Sequence, residues 1–250
     1  MKKNKTNLYS GTLYLPLLLI PIAFASCKKD NDTTVDSRTF MVRIENVSAP
    51  NTLPTARANG TVPLSHGVYA VNPSGGSLFM NGQRADVGTE RIAEDGFTTE
   101  KTNMLNNTSG ITYHGEFVAP GGPDNGSAIF AGEVSTFMVI ARPGEKLQIQ
   151  TMFVQSNDWF YSFGDGGLNL FDGSTPVSGD VTSRLVLYDA GTEADTAPGT
   201  GPNQKPVQGP LDMNVGPNDA TTTITVVPQR HTQFTIPATA SVIKITITPQ

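Results

Sequence analysis

Cysteine is almost absent from this sequence. Of 250 residues only Cys27 is a cysteine, so a disulfide bond within one chain is excluded. The three histidines, His66, His114 and His231, are far apart in the chain. Because zinc in proteins is usually held by clustered cysteine and histidine ligands, a zinc site is not expected. The histidines also form no recognisable catalytic triad or paired metal motif.

Clustered positive charge is missing beyond the extreme N-terminus. The chain carries 17 Lys and Arg residues against 22 Asp and Glu residues, for a formal net charge of −5. Proteins that bind nucleic acids need clustered cations to neutralise phosphates, so nucleic acid is not expected as a partner. Long helices are not expected either, because 25 Gly and 18 Pro residues indicate many turns.

The N-terminus has the layout of a secretory signal peptide. A basic segment, KKNK, is followed by the apolar residues 13–24 and then by small residues. This order predicts a signal peptide over residues 1–26. The apolar run is short for a membrane helix, and Pro16 and Pro21 weaken it further. An uncleaved membrane anchor is the alternative.

Cys27 ends the sequence FASC, residues 24–27. This motif resembles the lipobox of bacterial lipoproteins, whose cysteine is acylated and becomes the first residue of the mature protein, although Phe24 stands where Leu is commoner. Acyl chains would attach the protein to a membrane, and residues 27–38 would form a flexible polar tether. The resemblance implies secretion across the inner membrane to an outer-membrane site, periplasmic or surface-exposed. The alternative is an ordinary signal peptide with an incidental cysteine.

Residues 39–250 predict one all-β domain. Short segments with apolar residues at every second position are bounded by Gly, Pro, Asn or Asp, which is typical of an antiparallel β-sandwich. Only residues 89–95 are expected to be helical, with Thr89 as a candidate N-cap and Gly96 as the terminator. Residues 194–220 are rich in Pro and Gly and predict a long loop. The predicted strands are 39–47, 67–71, 113–118, 137–141, 146–154, 184–188, 222–227 and 241–249.

Three carboxylates fall within the stretch YDAGTEAD, residues 188–195, directly after an apolar run. A tight turn at Gly191 would direct Asp189 and Glu193 to one point, while Asp195 is expected to lie in the following loop. Two anions about 5 Å apart repel by about 3 kcal/mol at an effective dielectric constant of about 20. Either one of them is protonated or a cation lies between them. Ca²⁺ is the best candidate, because it accepts about six to eight oxygen ligands in a tolerant geometry.

A third acidic ligand is available in SNDWFY, residues 156–161, directly after the predicted strand 146–154. This segment contains Asp158 and the only tryptophan, Trp159. Loops at strand ends gather at one tip of a β-sandwich, so Asp158 is positioned to join the acids of the other loop. The aromatic residues that follow Asp158 are expected to pack in the core rather than to bind a ligand.

The two acidic segments together resemble the spondin domain, known from the N-terminal part of the extracellular proteins F-spondin and mindin. That family has an S-P-D-W element followed later in the chain by W-D-A-G-T-D. Here SNDW is followed by YDAGTE, and Asp189 comes 31 residues after Asp158 (189 − 158). The segment IAEDG, residues 92–96, is similar to the family's V-A-E-x-G.

This resemblance covers residues 39–248 and implies a C2-like β-sandwich that holds one Ca²⁺ through Asp158, Asp189 and Glu193. Asn157 replaces the family's Pro. Glu193 replaces its Asp and is one methylene longer, so it can still ligate but in an altered geometry. The resemblance also implies a module for adhesion or recognition, and not an enzyme, whose partner is extracellular matrix, a glycan or a protein.

Two other functions stay open at this point. Paired carboxylates can hydrolyse a glycosidic bond, with Asp158 and Glu193 in those roles, although nothing in the sequence marks a sugar cleft. The protein can also be a structural lipoprotein whose acids are solvated and hold no metal.

Overall fold

A computed structural model describes residues 36–74, 78–122 and 127–250 of the protein. The predicted signal peptide, Cys27 and most of the tether lie outside the described residues. Within the described ranges, no helix is both long enough and apolar enough to cross a bilayer. From Val35 to Gln250 the chain forms one compact unit.

The described residues contain 14 strands and three short α-helices. In chain order the strands are β1 Arg38–Asn46, β2 Leu64–Asn72, β3 Tyr113–Phe117, β4 Ala128–Ile129, β5 Val134–Ala141, β6 Lys146–Phe153, β7 Trp159–Ser162, β8 Leu168–Asn169, β9 Phe171–Asp172, β10 Thr175–Pro176, β11 Gly179–Asp180, β12 Val186–Asp189, β13 Thr225–Val226 and β14 Ile243–Pro249. The α-helices are α1 Val87–Asp95, α2 Thr99–Asn106 and α3 Val227–Arg230. Short 3₁₀ helices lie at Arg57–Gly60, Thr182–Arg184, Lys205–Val207 and Thr239–Ser241.

Two main sheets form the sandwich. The smaller sheet has the strand order β11-β14-β1-β5. The larger sheet has the order β13-β12-β7-β6-β2-β3, with β4 paired to β2 and β8 paired to β6. The pairings between the described strands are antiparallel. The antiparallel β-sandwich predicted from the sequence is therefore confirmed.

Alternating side chains build the core between the two sheets. On β1, Phe40, Val42 and Ile44 are fully buried, whereas the residues between them are only half-buried. They belong to the same apolar cluster as Leu147 and Ile149 of β6. Since successive side chains of a strand point to opposite faces, a one-residue slip of β1 would move its apolar face into solvent.

A layer of helices covers the outer face of the larger sheet. All nine residues of β2 are buried, which a strand with one solvated face does not show. Tyr69 lies in the core between the sheets, whereas Val68 packs on the other face with Ile92 of α1 and Leu105 of α2. The central strands are therefore enclosed on both sides.

The helices depart from the sequence-based prediction in two ways. The N-cap of α1 is Asp86 and not Thr89, since Oδ1 of Asp86 accepts a hydrogen bond from the N–H of Thr89 at 2.8 Å. Gly96 ends α1 as predicted, with a φ of 73°. Helix α2 was not predicted, because its buried residues are only Lys101 and Leu105 and no apolar periodicity marks it.

Two predicted strands are shorter or shifted in the structure. The predicted strand 222–227 is reduced to β13, because Val227 already begins α3. The predicted strand 184–188 starts only at Val186, because the preceding residues form a 3₁₀ helix. The loop predicted over 194–220 contains one 3₁₀ helix and no strand.

Candidate metal centre

Asp158 and Asp189 lie side by side at one end of the larger sheet. Asp158 directly precedes β7, Asp189 is the last residue of β12, and the register of this pair places Asp189 opposite Trp159. The N–H of Ala190 donates to the carbonyl oxygen of Asp158 at 3.0 Å. Both acids are fully buried. The structure therefore brings together the two acidic segments that the sequence singled out.

Asp158 holds the turn that carries Glu193. Its Oδ2 accepts hydrogen bonds from the N–H and the hydroxyl of Thr192, at 2.7 and 3.1 Å, and from the N–H of Glu193 at 3.0 Å. Its Oδ1 is buried and has no hydrogen-bond partner. Burial raises the pKa of Asp158 well above its ordinary value, and the neighbouring carboxylates of Asp189 and Asp195 raise it further.

Asp189 is already engaged by donors of the protein itself. Its Oδ1 accepts a hydrogen bond from the N–H of Gly191 at 2.6 Å. Its Oδ2 lies 2.6 Å from Nε2 of His231 and 2.9 Å from the Arg230 guanidinium. Arg230 also pairs with Asp219. The positive charge that the acidic stretch requires is thus supplied, in part, by the chain itself.

Strand β13 and helix α3 bring His231 to this place. β13 pairs with β12 so that Thr225 lies opposite Asp189, and α3 follows β13 directly. The ring centroid of His231 lies 5.3 Å from those of Trp159 and Phe234, which are 6.2 Å from each other, so the three rings form one aromatic cluster. Burial lowers the pKa of His231, but its contacts with Asp189 and Asp195 outweigh burial and raise this pKa to about 9.

Asp195 also lies in this centre, although the sequence suggested that it belongs to a loop away from it. Its side chain is 4% exposed, and its Oδ2 lies 3.0 Å from Nε2 of His231. The other carboxylate oxygen of Asp195, Oδ1, is buried and has no hydrogen-bond partner. Burial raises the pKa of Asp195 to about 6.

Glu193 points to a neighbouring polar cluster. Its Oε1 accepts a hydrogen bond from the side-chain amide of Asn157 at 3.0 Å, and its Oε2 has no partner. The side-chain oxygen of Asn157 accepts from the N–H and the hydroxyl of Thr196. Asn157 therefore ties two loop segments together in a way that the family's Pro cannot. Burial, with a contribution from Glu94, raises the pKa of Glu193 to about 8.

Helix α1 contributes two further acids that were not predicted as site residues. Glu94 and Asp95 are 2% and 1% exposed, and each has one carboxylate oxygen without a hydrogen-bond partner. Asp95 lies 2.7 Å from the Arg91 guanidinium and 4.0 Å from the Lys205 ammonium. Burial raises the pKa of Glu94 to about 7.

The three acids that the resemblance assigns to Ca²⁺ differ in how well they fit that ion. Asp158 and Glu193 each offer one buried oxygen that no donor satisfies, as a cation ligand should. Asp189 has both oxygens engaged. Among the described acids and histidines, the one group of three whose ligand atoms all lie within 4.8 Å of one another is Asp189, Asp195 and His231.

A polar pocket of about 180 Å³ adjoins the centre. The backbone turn at Gly191 and Thr192 lines one part of it, and Arg84, Asn218 and Asp219 line others.

No family model matches this sequence, and no curated protein matches it either.

Proposed function

We propose that the protein is a lipid-anchored, extracytoplasmic β-sandwich module for adhesion or recognition, and that the acidic end of its larger sheet binds Ca²⁺. The observation that supports this proposal is the group of buried carboxylate oxygens without donors, on Asp158, Glu193 and Asp195. Leaving a buried acceptor unsatisfied costs about 1–3 kcal/mol, and more when it is charged. A divalent cation held by such oxygens removes that cost.

Of the three acids that the resemblance implies as ligands, two have a carboxylate oxygen without a hydrogen-bond donor, and these oxygens suit calcium. Oδ1 of Asp158 and Oε2 of Glu193 are hard oxygen ligands on loops, and backbone carbonyls can complete an irregular calcium shell. Asp189 would join them only by exchanging its contacts with His231 and Arg230. With a dissociation constant of about 10⁻⁴ M, about 1 mM Ca²⁺ would stabilise the fold by about 1.4 kcal/mol.

The recognition part of the proposal is supported by the pocket beside the centre. It presents a guanidinium, two carboxylates and amide groups, on Arg84, Glu90, Asp219, Asn214 and Asn218. This mixture of donors and acceptors suits a hydroxyl-rich or peptide-like ligand. A glycan or a protein segment is therefore the partner class that we propose, with acylated Cys27 holding the module at a membrane.

The calcium proposal is tested by thermal unfolding of the protein in Ca²⁺ and in chelator. Ca²⁺ is expected to raise the melting temperature by about 3–6 °C for a domain of this size. Asp158→Asn and Glu193→Gln should each remove this rise, whereas Asp172→Asn, which changes an exposed acid on β9, should keep it. Identical melting curves of the wild-type protein in Ca²⁺ and in chelator would contradict the proposal.

The anchor and the rival function have separate tests. Cys27→Ala should abolish incorporation of labelled fatty acid, and globomycin should block processing of the wild-type precursor. Unchanged labelling in Cys27→Ala contradicts the anchor.

For a glycoside hydrolase, Asp158 and Glu193 would have to reach a substrate, yet they are 0% and 3% exposed. Hydrolysis of a glycan that is lost in Asp158→Asn would nevertheless favour the hydrolase.

A further inference from the structure

The nitrogen and oxygen atoms around His231 have the spacing of a transition-metal site. Nε2 of His231 lies 2.6 Å from Oδ2 of Asp189 and 3.0 Å from Oδ2 of Asp195. Zinc binds imidazole nitrogen and carboxylate oxygen at about 2.0–2.2 Å, so two ligands of one ion are about 3.0–3.4 Å apart at right-angled to tetrahedral geometry. The Asp195 contact already has that spacing, the Asp189 contact would have to lengthen to reach it, and all three ligand atoms lie within 4.8 Å of one another.

The buried groups around His231 include more negative than positive charges, which a divalent cation would balance. Asp158, Asp189 and Asp195 are buried carboxylates, and Arg230 is the guanidinium that contacts them through Asp189. In the metal-bound state, with His231 neutral and the three acids ionised, these groups sum to −3 + 1 = −2, and Asp219, which also pairs with Arg230, adds a further negative charge. Uncompensated charge is costly in a buried place. One divalent ion offsets most of this excess.

Unpartnered oxygens mark the same place independently of the spacing. Oδ1 of Asp195, whose side chain is 4% exposed, has no hydrogen-bond partner, and Oδ2 contacts Nε2 of His231 at 3.0 Å. Oδ1 of fully buried Asp158 lacks one as well, and Asp158 is close enough to Asp189 and Asp195 for their charges to act on it. Acceptors in this state are rare inside proteins unless an ion or a water satisfies them.

The imidazole is also held as a metal ligand requires. Trp159 and Phe234 pack against the imidazole, each with its ring centroid 5.3 Å away, and limit its rotation. Asp189 is oriented through its other oxygen by the N–H of Gly191, and Arg230 supports its Oδ2. Such supporting contacts orient the ligands of metal sites and tune their affinity.

We propose that Asp189, Asp195 and His231 bind a first-row transition-metal dication of the zinc type, with Asp158 as a neighbouring acid that balances the charge. This ligand set shares Asp189 with the acids that the resemblance assigns to Ca²⁺, and Asp195 with the unpartnered oxygens that support the calcium proposal. Imidazole favours zinc and its neighbours over calcium, which prefers oxygen ligands. In the absence of the ion, the proton on Nε2 of His231 takes its place and gives the observed contacts with the two carboxylates.

The experiment uses the full-length protein in detergent, without a polyhistidine tag, after removal of metals with a chelator. Zn²⁺ binding is measured by calorimetric titration, and Co²⁺ is titrated as a spectroscopic probe whose visible bands report nitrogen and oxygen coordination. The expected result is about one ion per chain. Loss of a residue that only supports a ligand weakens metal binding by about 10- to 100-fold. His231→Gln and Asp195→Asn remove ligands, so each should weaken Zn²⁺ binding by more than that.

The control is His114→Gln, which changes a half-buried histidine on β3, at the far edge of the larger sheet from β13. This variant should bind Zn²⁺ as the wild-type protein does. Glu193→Gln should also keep Zn²⁺ binding while losing the calcium response, which separates the two proposals. If wild-type protein takes up neither Zn²⁺ nor Co²⁺, the proposal is overturned, whether or not the variants fold. Equal binding by wild type, His231→Gln and Asp195→Asn overturns it too.

Discussion

The ammonium group of Lys101 lies 2.7 and 2.8 Å from the two carboxylate oxygens of Asp86. Lys101 is 1% exposed and also donates to the carbonyl oxygen of Leu78 at 2.6 Å. Asp86 in turn caps α1 through the N–H of Thr89. A single carboxylate thus begins one helix and neutralises the buried cation of the next, which holds the helical layer on the larger sheet.

Replacement of Asp86 should show both of these roles. Asp86→Ala removes the N-cap and leaves Lys101 buried without a counter-charge, so it should lower the free energy of unfolding by about 3 kcal/mol. Asp86→Asn keeps an acceptor for the cap and should cost about 1 kcal/mol less. Denaturant titration measures both. An Asp86→Ala protein as stable as wild type would contradict the assignment.

The stability of the metal-free protein should fall as pH rises from about 5 to about 9. Burial raises the pKa of Glu94 to about 7 and of Glu193 to about 8, from an ordinary 4.5. The pKa of His231 is raised to about 9 from 6.5, because its contacts with two carboxylates outweigh burial. All three groups bind protons more tightly in the folded protein. Their contribution is full below the unfolded pKa and is lost as pH rises through the folded pKa.

Calorimetry in chelator across this range measures the effect. Glu94→Gln should flatten the decline between about pH 4.5 and 7 and leave the decline above pH 7, where Glu193 and His231 still titrate. A melting temperature that stays constant or rises between pH 5 and 9 would contradict the assignment of these pKa values.

Gly191 should tolerate no side chain. Its φ is +67°, and a Cβ atom there would lie 2.6 and 2.7 Å from the carbonyl oxygens of Thr223 and Thr221. Gly173 has a similar φ of +59° but open space around it. Gly173→Ala should therefore lower the free energy of unfolding by about 1–2 kcal/mol, which is the cost of a left-handed backbone for a residue with a Cβ atom. Gly191→Ala should lower it clearly more, because its Cβ atom also meets the two carbonyl oxygens. Denaturant titrations of the two variants make the comparison, and equal losses would show that the close contacts are relieved without cost.

The sequence predicts the bounds of the long strands with uneven success, and β6 was predicted to within one residue although nearly all of it is buried. β1 and β14 alternate apolar and polar residues, and they were predicted to within a few residues. β2 was predicted only at 67–71 but runs from Leu64 to Asn72, because helices cover its outer face and no polar alternation marks it. Helix α2 escaped prediction for a related reason, since its most buried residue is a lysine.

In the candidate site, the meeting of the acidic strand ends could be predicted from the sequence. The approach of His231 from a distant part of the chain could not. Asp158 and Asp189 flank strands, and strand ends at one tip of a sandwich are expected to meet. Asp195 was visible in the stretch YDAGTEAD, but its inward direction depends on its contact with His231. His231 reaches Asp189 across 42 positions because β13 pairs with β12. No short motif in the sequence predicts the pairing of β13 with β12.

The pairing of β1 with β14 has a consequence for how the chain matures. Ile44 lies opposite Ile245, so the partners are 201 positions apart in the sequence (245 − 44). Contacts so distant in sequence form slowly. During synthesis, the edge of β1 that faces β14 therefore stays open until nearly the whole domain has emerged, even after β5 has paired with the other edge. Premature termination before β14 would leave this row of backbone N–H and C=O groups unpaired.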